Sequence, residues 1–371
     1  MKSQRGRVAL VLGLVLSSFM LAACGGGASS AGSGSGNTGA SNAVPAGISD
    51  AQVGRDSAAS TVSSTSTTHL DRVILIYMEN QGFDNVIGHD DANGNPDTPY
   101  ITSTALKYGL ATFYFGVTHP SLPNYLAFLG GYTNGISDDN PSCYAVPNPA
   151  PNCHRIDYQN FIDQLESHNI SWEAFMQSMP SVGYLGPRYP TTGPTLYAQK
   201  HNPYVYYSDI ATNAARLKKI VPLDNNASQL AAALSNPVTA PRFVWITPDQ
   251  CHDMHGTSTC SDNDALLRAG DAYLKTLITT IQQSPSFTSN SAIFVVWDEN
   301  DYSSNLGCCL PAAVGGGHIP AFVITPRYTT PIRVSAEMNH YALLHTIETT
   351  FGLPPLENAA KVPPALLPLL P

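Results

Sequence analysis

Val73-Ile74-Leu75-Ile76-Tyr77-Met78 is an unbroken apolar run, and Glu79-Asn80 follows it at once. A strand with one face in water alternates apolar and polar residues, whereas a continuous run fits a strand covered on both faces. Three similar runs come later: Phe243-Val244-Trp245-Ile246-Thr247, Ala292-Ile293-Phe294-Val295-Val296-Trp297 and Ile319-Pro320-Ala321-Phe322-Val323-Ile324. Helical patterns lie between and after them, over residues 158–167, Asn263–Gln283 and His340–Phe351. The long one carries Leu266, Leu267, Tyr273, Leu274, Leu277, Ile278 and Ile281 on one face. Buried strands alternating with amphipathic helices predict an α/β fold, a mainly parallel β-sheet sandwiched by helices.

The residues just after each run are polar. The first run ends in Glu79-Asn80, the second leads into Asp249-Gln250-Cys251-His252-Asp253-Met254-His255, and the third into Asp298-Glu299-Asn300-Asp301. Sites in open parallel sheets form outside the carboxyl ends of the strands, so these groups are expected to converge. One acidic pair after one strand is explained by a turn or a solvated loop. Three strand ends doing the same thing point to a site. Carboxylates there suit Mg²⁺, Ca²⁺ or Mn²⁺, and histidines among them also admit Zn²⁺ or Fe.

Thr118-His119-Pro120-Ser121-Leu122-Pro123-Asn124-Tyr125 precedes a short helical stretch, Leu126-Ala127-Phe128-Leu129, closed by Gly130-Gly131. A serine just before a helix reads equally as an N-cap and as a nucleophile facing an anion bound at the helix end. Position alone does not separate the two.

The chain has 371 residues, 43% of them hydrophobic, enough for one large domain. Its formal net charge of −9 carries no basic face, which sets nucleic-acid binding aside. Residues 1–7 are basic and residues 8–23 apolar, the layout of a secretory signal too short for a membrane span. The junction Leu21-Ala22-Ala23-Cys24-Gly25 resembles a bacterial lipobox, with Cys24 as the lipid-bearing first residue and the cell envelope, outer membrane or periplasm, as the address. Residues 24–68 are rich in Gly, Ser, Ala and Thr and read as a flexible tether, which leaves 69–371 as the domain. Six further cysteines in an exported chain suggest disulfides. Cys143 with Cys153 and Cys251 with Cys260 would close short loops, while adjacent Cys308 and Cys309 would form a vicinal bridge; spacing leaves the pairing open. Gly315-Gly316-Gly317, before His318, reads as a plain linker in preference to a mobile loop near the site.

Several stretches together resemble a bacterial phosphoesterase family that contains phospholipase C enzymes and acid phosphatases, a branch of the alkaline phosphatase superfamily. They are residues 77–88, the Thr118-to-Tyr125 segment, Ile170-Ser171-Trp172 with 176–180, 197–204 with His201-Asn202-Pro203, 246–255, 297–302, His340-Tyr341, and Phe351-Gly352-Leu353-Pro354-Pro355. The resemblance implies an alkaline phosphatase-like core. It implies Glu79, Asn80, Asp298 and Glu299 as metal ligands, and Ser121 as nucleophile and further ligand. Asn124 would hold a phosphate oxygen. His255 would bind phosphate or act as acid–base, with His252 as alternate. For His201, His318 and His340 a substrate-binding and a structural role stand side by side. Thr118 is a fallback nucleophile.

The expected reaction is metal-dependent hydrolysis of phosphate monoesters through a phosphoserine on Ser121, with membrane attachment through lipid on Cys24. Phospholipase members of the family often carry Arg where Tyr125 stands, and sulfatases require Arg in their own motif. Tyr125 therefore favours the acid phosphatase side over the phospholipase C alternative. An apolar entrance for the latter would come from Tyr184, Leu185, Tyr189 and Tyr197, residues equally explained by packing. A surface-anchored, non-catalytic binding protein is the third reading, and the retained Ser121 and acidic groups argue against it.

Overall fold

A computed structural model describes residues 69–146, 150–310 and 314–370. The signal, tether and Cys24 expectations therefore lie outside the described residues. The strands, in chain order, are β1 (Arg72–Met78), β2 (Gly109–Phe115), β3 (Trp172–Gln177), β4 (Arg188–Tyr189), β5 (Tyr197–Ala198), β6 (Ile220–Leu223), β7 (Phe243–Thr247), β8 (Ser291–Trp297), β9 (His318–Ile324), β10 (Ile332–Val334) and β11 (Met338–Asn339). Among the described residues the main sheet runs β10-β2-β9-β8-β1-β7-β3-β6, with β11 paired to β2, and β4 and β5 form a separate hairpin. Every residue of β1, β7 and β8 is buried, as the unbroken apolar runs require.

The sheet is parallel except at β9, which runs antiparallel to both β2 and β8. The fourth apolar run is thus a strand of opposite sense to the other three. This reversal leaves β2 parallel to β8, so the carboxyl ends of β1, β2, β3, β7 and β8 share one edge. The central register pairs Met78 with Trp297, one residue before Glu79 and Asp298 respectively. The backbone of Asp298 donates to Met78 O at 3.0 Å, and that of Glu79 to Asp253 O at 2.8 Å. The ladder therefore carries the acidic residues side by side beyond the sheet.

Helices flank the sheet. The Asn263–Gln283 helix forms with the predicted bounds and an Asp262 N-cap; a Cβ on its residue Gly270 would lie 2.5 Å from Met254 Cε, so a larger residue there requires the Met254 side chain to move. His340–Phe351 also forms as expected, capped by Asn339. The 158–167 pattern begins later, at Phe161, because Asn160 caps it with Asp163 completing a capping box. The short helix after Pro120 starts earlier than read, and spans Ser121–Gly130. Trp245 stacks on Tyr77 (centroids 5.0 Å apart) and packs against Phe128, joining sheet to that helix. Cys143–Cys153, Cys251–Cys260 and Cys308–Cys309 are disulfides, and the second closes the loop that holds Asp253 and His255. No helix among the described residues is long and apolar enough to cross a membrane.

The Gly315-Gly316-Gly317 run is not a linker. Gly316 N donates to Gly116 O (2.9 Å) and Gly116 N donates to Gly317 O (3.0 Å), while Asn300 N donates to Gly316 O (2.7 Å). A Cβ on Gly316 would lie 2.5 Å from Thr118 O and 3.2 Å from Glu299 Cβ. The glycines clasp the turn that delivers Ser121 against the chain that delivers Glu299. Gly316→Ala is expected to cost about 1–3 kcal/mol by overpacking, and to lower turnover as the 116–120 turn shifts. A urea melt beside a kinetic assay checks this, and an unchanged midpoint would mean that the clasp yields freely.

Candidate active site

Four strand ends supply the groups. β1 delivers Glu79 and Asn80, β8 delivers Asp298 and Glu299, β7 leads to Asp253 and His255, and β2 leads to the helix that begins at Ser121. Glu79, Ser121, Asp253, Asp298 and Glu299 are all fully buried. Sequence reasoning expected Ser121 either as cap or as nucleophile. The N-cap residue is Pro120, and Ser121 is the first helical residue with no capping bond. Its Oγ instead lies 3.0 Å from Glu79 Oε2 and 3.1 Å from Glu299 Oε1, either of which accepts its proton. Asn80 bridges the two acidic ends: its N–H donates to Asp298 Oδ1 (3.1 Å) and its Nδ2 to Glu299 Oε1 (3.3 Å), with φ at 45°.

The helix end is less open to anions than its position suggests. Asp139 Oδ1 accepts the Leu122 N–H at 2.9 Å, and Pro123 has no N–H to offer. Asn124 is also committed. Its Oδ1 accepts from Val117 N (2.8 Å) and Thr118 N (3.1 Å), and its Nδ2 donates to Thr118 O and Pro120 O. In this arrangement Asn124 moulds the turn before Ser121, and its expected phosphate contact has no free donor. Thr118 Oγ1 donates to His119 O at 3.1 Å, so its proton is committed to its own neighbour.

The histidines separate by neighbourhood. His201 sits in the site, its Nε2 3.2 Å from Glu79 Oε1 and its Nδ1 3.2 Å from Asp253 Oδ2, with Tyr125 stacked on its ring. Burial, then Lys200 and His255, push its pKa well below the ordinary value, so it is a neutral imidazole. His255 Nδ1 faces Gly256 O at 2.9 Å and therefore holds the proton, leaving a lone pair on Nε2. Burial and the adjacent Lys200 bring its pKa down to about 4. A neutral His255 protonated on Nδ1 has no Nε2 proton for a leaving group, which weighs against the acid role expected of it and suits a ligand.

His252, His318 and His340 stand outside this cluster. His252 pairs with Asp249 (3.0 Å) and Gln177 and packs on Tyr273. His318 lies among Phe83, Phe113 and Phe115 and meets Thr112 O at 2.9 Å. His340 is fully buried, bonded to Tyr77 and Tyr114 hydroxyls through Nδ1 and to Asp298 O through Nε2 (2.7 Å), and burial lowers its pKa to about 4. It holds the backbone of a site residue without reaching the site. Tyr184 packs on Tyr189 and Tyr197 around the β4–β5 hairpin.

Four participants had no role in the sequence reading: His119, Tyr125, Asp139 and Lys200. His119 Nδ1 bonds Glu299 Oε2 and stacks on Tyr302. Tyr125 donates its hydroxyl to Glu79 Oε1. Lys200 Nζ donates to Asp139 Oδ2 (2.9 Å) and contacts His255 Nε2 (3.2 Å) and Ser121 Oγ (3.3 Å). Burial pulls the Lys200 pKa down, and Glu79 and Asp139 more than reverse it. Asp253 completes the acidic set. The signal for Lys200 was its place beside His201; for Asp253 it was its place in the loop after β7.

Four buried atoms here have no hydrogen-bond partner among the described residues: Asn80 Oδ1, His201 Nε2, Asp253 Oδ2 and Asp298 Oδ2. Burial first, then repulsion from Asp298, raises the pKa of Glu79; burial first, then repulsion from Glu299, raises that of Asp298; and burial chiefly raises those of Asp253 and Glu299. Crowded buried carboxylates with lone pairs unspent fit a cation. The donors form two overlapping sets. Asn80, Ser121, Asp298 and Glu299 offer oxygen alone, the chemistry of Mg²⁺, Mn²⁺ or Ca²⁺. Glu79, His201 and His255 bring ligand atoms within 4.8 Å of one another, a mixed set that admits Zn²⁺ or Fe.

The model of the Phosphoesterase family matches residues 92–354. The chain belongs to that family. Glu79 and Asn80 precede the matched span, while Ser121, Lys200, His255, Asp298 and Glu299 lie within it. Among its relatives, this Phosphoesterase family member is 27% identical over 297 residues to a phosphate-repressible acid phosphatase of Penicillium chrysogenum, covering 80% of this chain and 63% of the relative. It is 27% identical over 292 residues to a phosphatidylinositol-3-phosphatase of Mycobacterium tuberculosis, covering 79% and 80% respectively. The chain thus spans about three fifths of the length of the fungal relative. Among solved structures its fold is similar to that of a lipoteichoic acid synthase from Listeria monocytogenes, with TM-score 0.50, 11% identity and coverage of 79% and 76%. A Vibrio parahaemolyticus protein of the alkaline phosphatase superfamily aligns at TM-score 0.49 and 11% identity over 77% and 67%.

Proposed function

We infer that the chain hydrolyses phosphate monoesters in a metal-dependent reaction, with Ser121 as the nucleophile. The observation that carries this is the Ser121 hydroxyl itself, buried at the first turn of its helix and shared between two carboxylates. Relatives named as acid phosphatases and as a phosphatidylinositol-3-phosphatase support the substrate class.

A divalent ion held by Asn80, Asp298, Glu299 and Ser121, with Glu79 beside them, supplies charge neutralisation for the phosphoryl group. The chain's own residues do the rest. Glu79 Oε2 or Glu299 Oε1 takes the hydroxyl proton as Oγ attacks phosphorus and the bond to the leaving oxygen breaks. The product is a phosphoserine on Ser121. Water then attacks phosphorus and the bond to Oγ breaks; the proton held on the carboxylate returns to Oγ, and the proton given up by the water neutralises the departed oxygen through solvent, so that alcohol and phosphate are released. Tyr125 fixes the orientation of Glu79, and Asn124 fixes the turn that aims Ser121.

The test is hydrolysis of an aryl phosphate and of a bis-aryl phosphate by the full chain, stripped with chelator and then resupplied separately with Mg²⁺, Mn²⁺, Ca²⁺, Zn²⁺ and Fe²⁺. Monoester turnover that disappears on stripping and returns with an ion is expected. A chain that cleaves only the diester is a phosphodiesterase. Undiminished monoester turnover after stripping removes the metal from the reading.

A further inference from the structure

We propose that Lys200 is a second catalytic group of this site, an ammonium that holds the extra charge of a phosphate monoester and so sets the preference for monoesters over diesters. The proposal rests on the phosphatase reading above and deepens it.

The argument begins with how Lys200 is placed. It lies in a single 3-10 turn, Gln199–His201, pinned from three directions. Gln199 Nε2 donates to Leu185 O (2.8 Å), Gln199 Oε1 accepts the Ser142 N–H (2.9 Å), and Thr247 Oγ1 donates to His201 O (3.2 Å). The turn fixes the backbone, and the contacts of Nζ to Asp139, His255 and Ser121 restrict the side-chain rotamers whose freedom makes most surface lysines poor at fixed contacts. An ammonium has three protons, and the three acceptors in reach are Asp139 Oδ2, His255 Nε2 and Ser121 Oγ. Asp139 does two jobs at once. It steers the ammonium with Oδ2 and holds the Leu122 N–H with Oδ1, so the cation and the start of the nucleophile's helix are locked to one carboxylate. Among the described residues, Lys200 is the one Lys or Arg side chain hydrogen-bonded to any member of the cluster formed by Glu79, Ser121, Asp139, Asp253, His255, Asp298 and Glu299.

Charge then assigns the task. Five carboxylates surround the nucleophile, a field that repels an anionic substrate and most of all a dianion. An ion held by Asn80, Asp298 and Glu299 would offset part of it. Lys200 approaches Oγ with a positive charge on another of its contacts. When phosphorus bonds to Oγ, an unsubstituted phosphoryl oxygen lies one covalent bond beyond it, within the span of the same ammonium. A monoester dianion has one more charged, unsubstituted oxygen than a diester monoanion. A fixed cation at this place favours the former, and the gain is larger in the transition state than in water because the group is preorganised and shielded.

The experiment compares the wild-type chain with Lys200→Met, Lys200→Arg and Asp139→Asn, all loaded with the ion that best supports activity. Steady-state kinetics on the aryl phosphate and bis-aryl phosphate are paired with calorimetric binding of inorganic phosphate. Removing one preorganised donor of this kind costs about 100- to 1000-fold. Lys200→Met is expected to lose that much in kcat/KM on the monoester and about tenfold or less on the diester, and to bind phosphate at least tenfold more weakly. Lys200→Arg, with charge kept, is expected to recover part of the loss, and Asp139→Asn to show a smaller loss with the same monoester bias. Equal losses on both esters overturn the proposal and leave Lys200 as a support for Ser121. Undiminished phosphate binding in Lys200→Met overturns it also. Should the wild type cleave neither ester yet bind phosphate in a way that depends on Lys200, the phosphatase reading fails while the anion-clamp role of Lys200 stands.

Discussion

Ser121→Ala is expected to abolish phosphate release from an aryl monoester, a fall of about four orders of magnitude or more in kcat, with the fold intact. The size follows from covalent catalysis: without Oγ no phosphoenzyme forms, and what remains is whatever the bound ion and the positioned donors do for a water attacking directly. The fold survives because the removed hydroxyl caps nothing; Pro120 is the N-cap, and Ser121 makes its contacts to Glu79, Glu299 and Lys200. Losing that hydroxyl leaves these groups one partner fewer in a cluster that already has unspent lone pairs, so the melting temperature shifts by only a few degrees. Rapid acid quench after mixing with labelled monoester should trap phosphate on the wild type and none on the variant. Turnover by Ser121→Ala within tenfold of wild type would transfer the nucleophile role to water or to Thr118. The latter is disfavoured by its hydroxyl bonding to its own neighbour, His119 O.

The parts of this protein that the sequence declares are those governed by one local rule. β1, β7 and β8 are covered on both faces, and their runs show no polar interruption. β2 and β3 were not legible because they mix patterns. β2 carries an exposed Phe113 within a buried strand, and β3 places Glu173 half-buried on one face and Gln177 fully buried at its end. The antiparallel sense of β9 was also hidden, since a strand buried on both faces reads the same in either direction. Its partners are set by the path of the chain through the clasp at Gly316, a tertiary fact.

The site divides in the same way. Glu79, Asn80, Asp298 and Glu299 announce themselves because they end buried strands, where register puts them side by side. Ser121 was recognisable from its segment, though not the reason it is free to react, which is that Pro120 takes the cap. Lys200, Asp139 and His119 come from loops whose spacing carries no period, so nothing local ties them to the strand ends. Tyr125 was noticed for the arginine it is not. In the fold it donates to Glu79 Oε1, a neutral hydroxyl orienting a carboxylate where a cation would have paired with it. Lys200 is then the one Lys or Arg bonded within the cluster among the described residues, and most of its negative charge is left without a partner, with consequences for its dependence on pH.

The metal-free chain is expected to be more stable at mildly acidic pH than at neutrality, and added ion is expected to reverse the order. Glu79, Asp253, Asp298 and Glu299 all have pKa values raised in the folded state, by burial first and then, for Glu79, by Asp298 and, for Asp298, by Glu299. A carboxyl raised on folding binds more protons folded than unfolded at any pH between its ordinary value near 4 and its folded value. In that window stability falls as pH rises; below about 4 both states are protonated and the penalty is absent. His201 and His255, lowered by burial, work the other way, since acid must charge them in the unfolded state before the folded one; this limits the gain on the acid side below their ordinary pKa near 6.5. A bound ion replaces the protons, so its stabilisation should be largest at neutral pH, about 4 kcal/mol at a thousandfold excess over Kd. Asp298→Asn sharpens the test. It removes one charge from the cluster at constant shape, and should raise the metal-free melting temperature at neutral pH while removing most of the ion-induced rise. It should also cut turnover by about 1000-fold or more, because the ion no longer sits against the nucleophile. Thermal melts from pH 5 to 8, stripped and loaded, read both effects. A metal-free chain whose stability is flat or climbs across that range, or an Asp298→Asn chain that still responds fully to the ion, would mean that the acidic cluster is not the place where a cation binds.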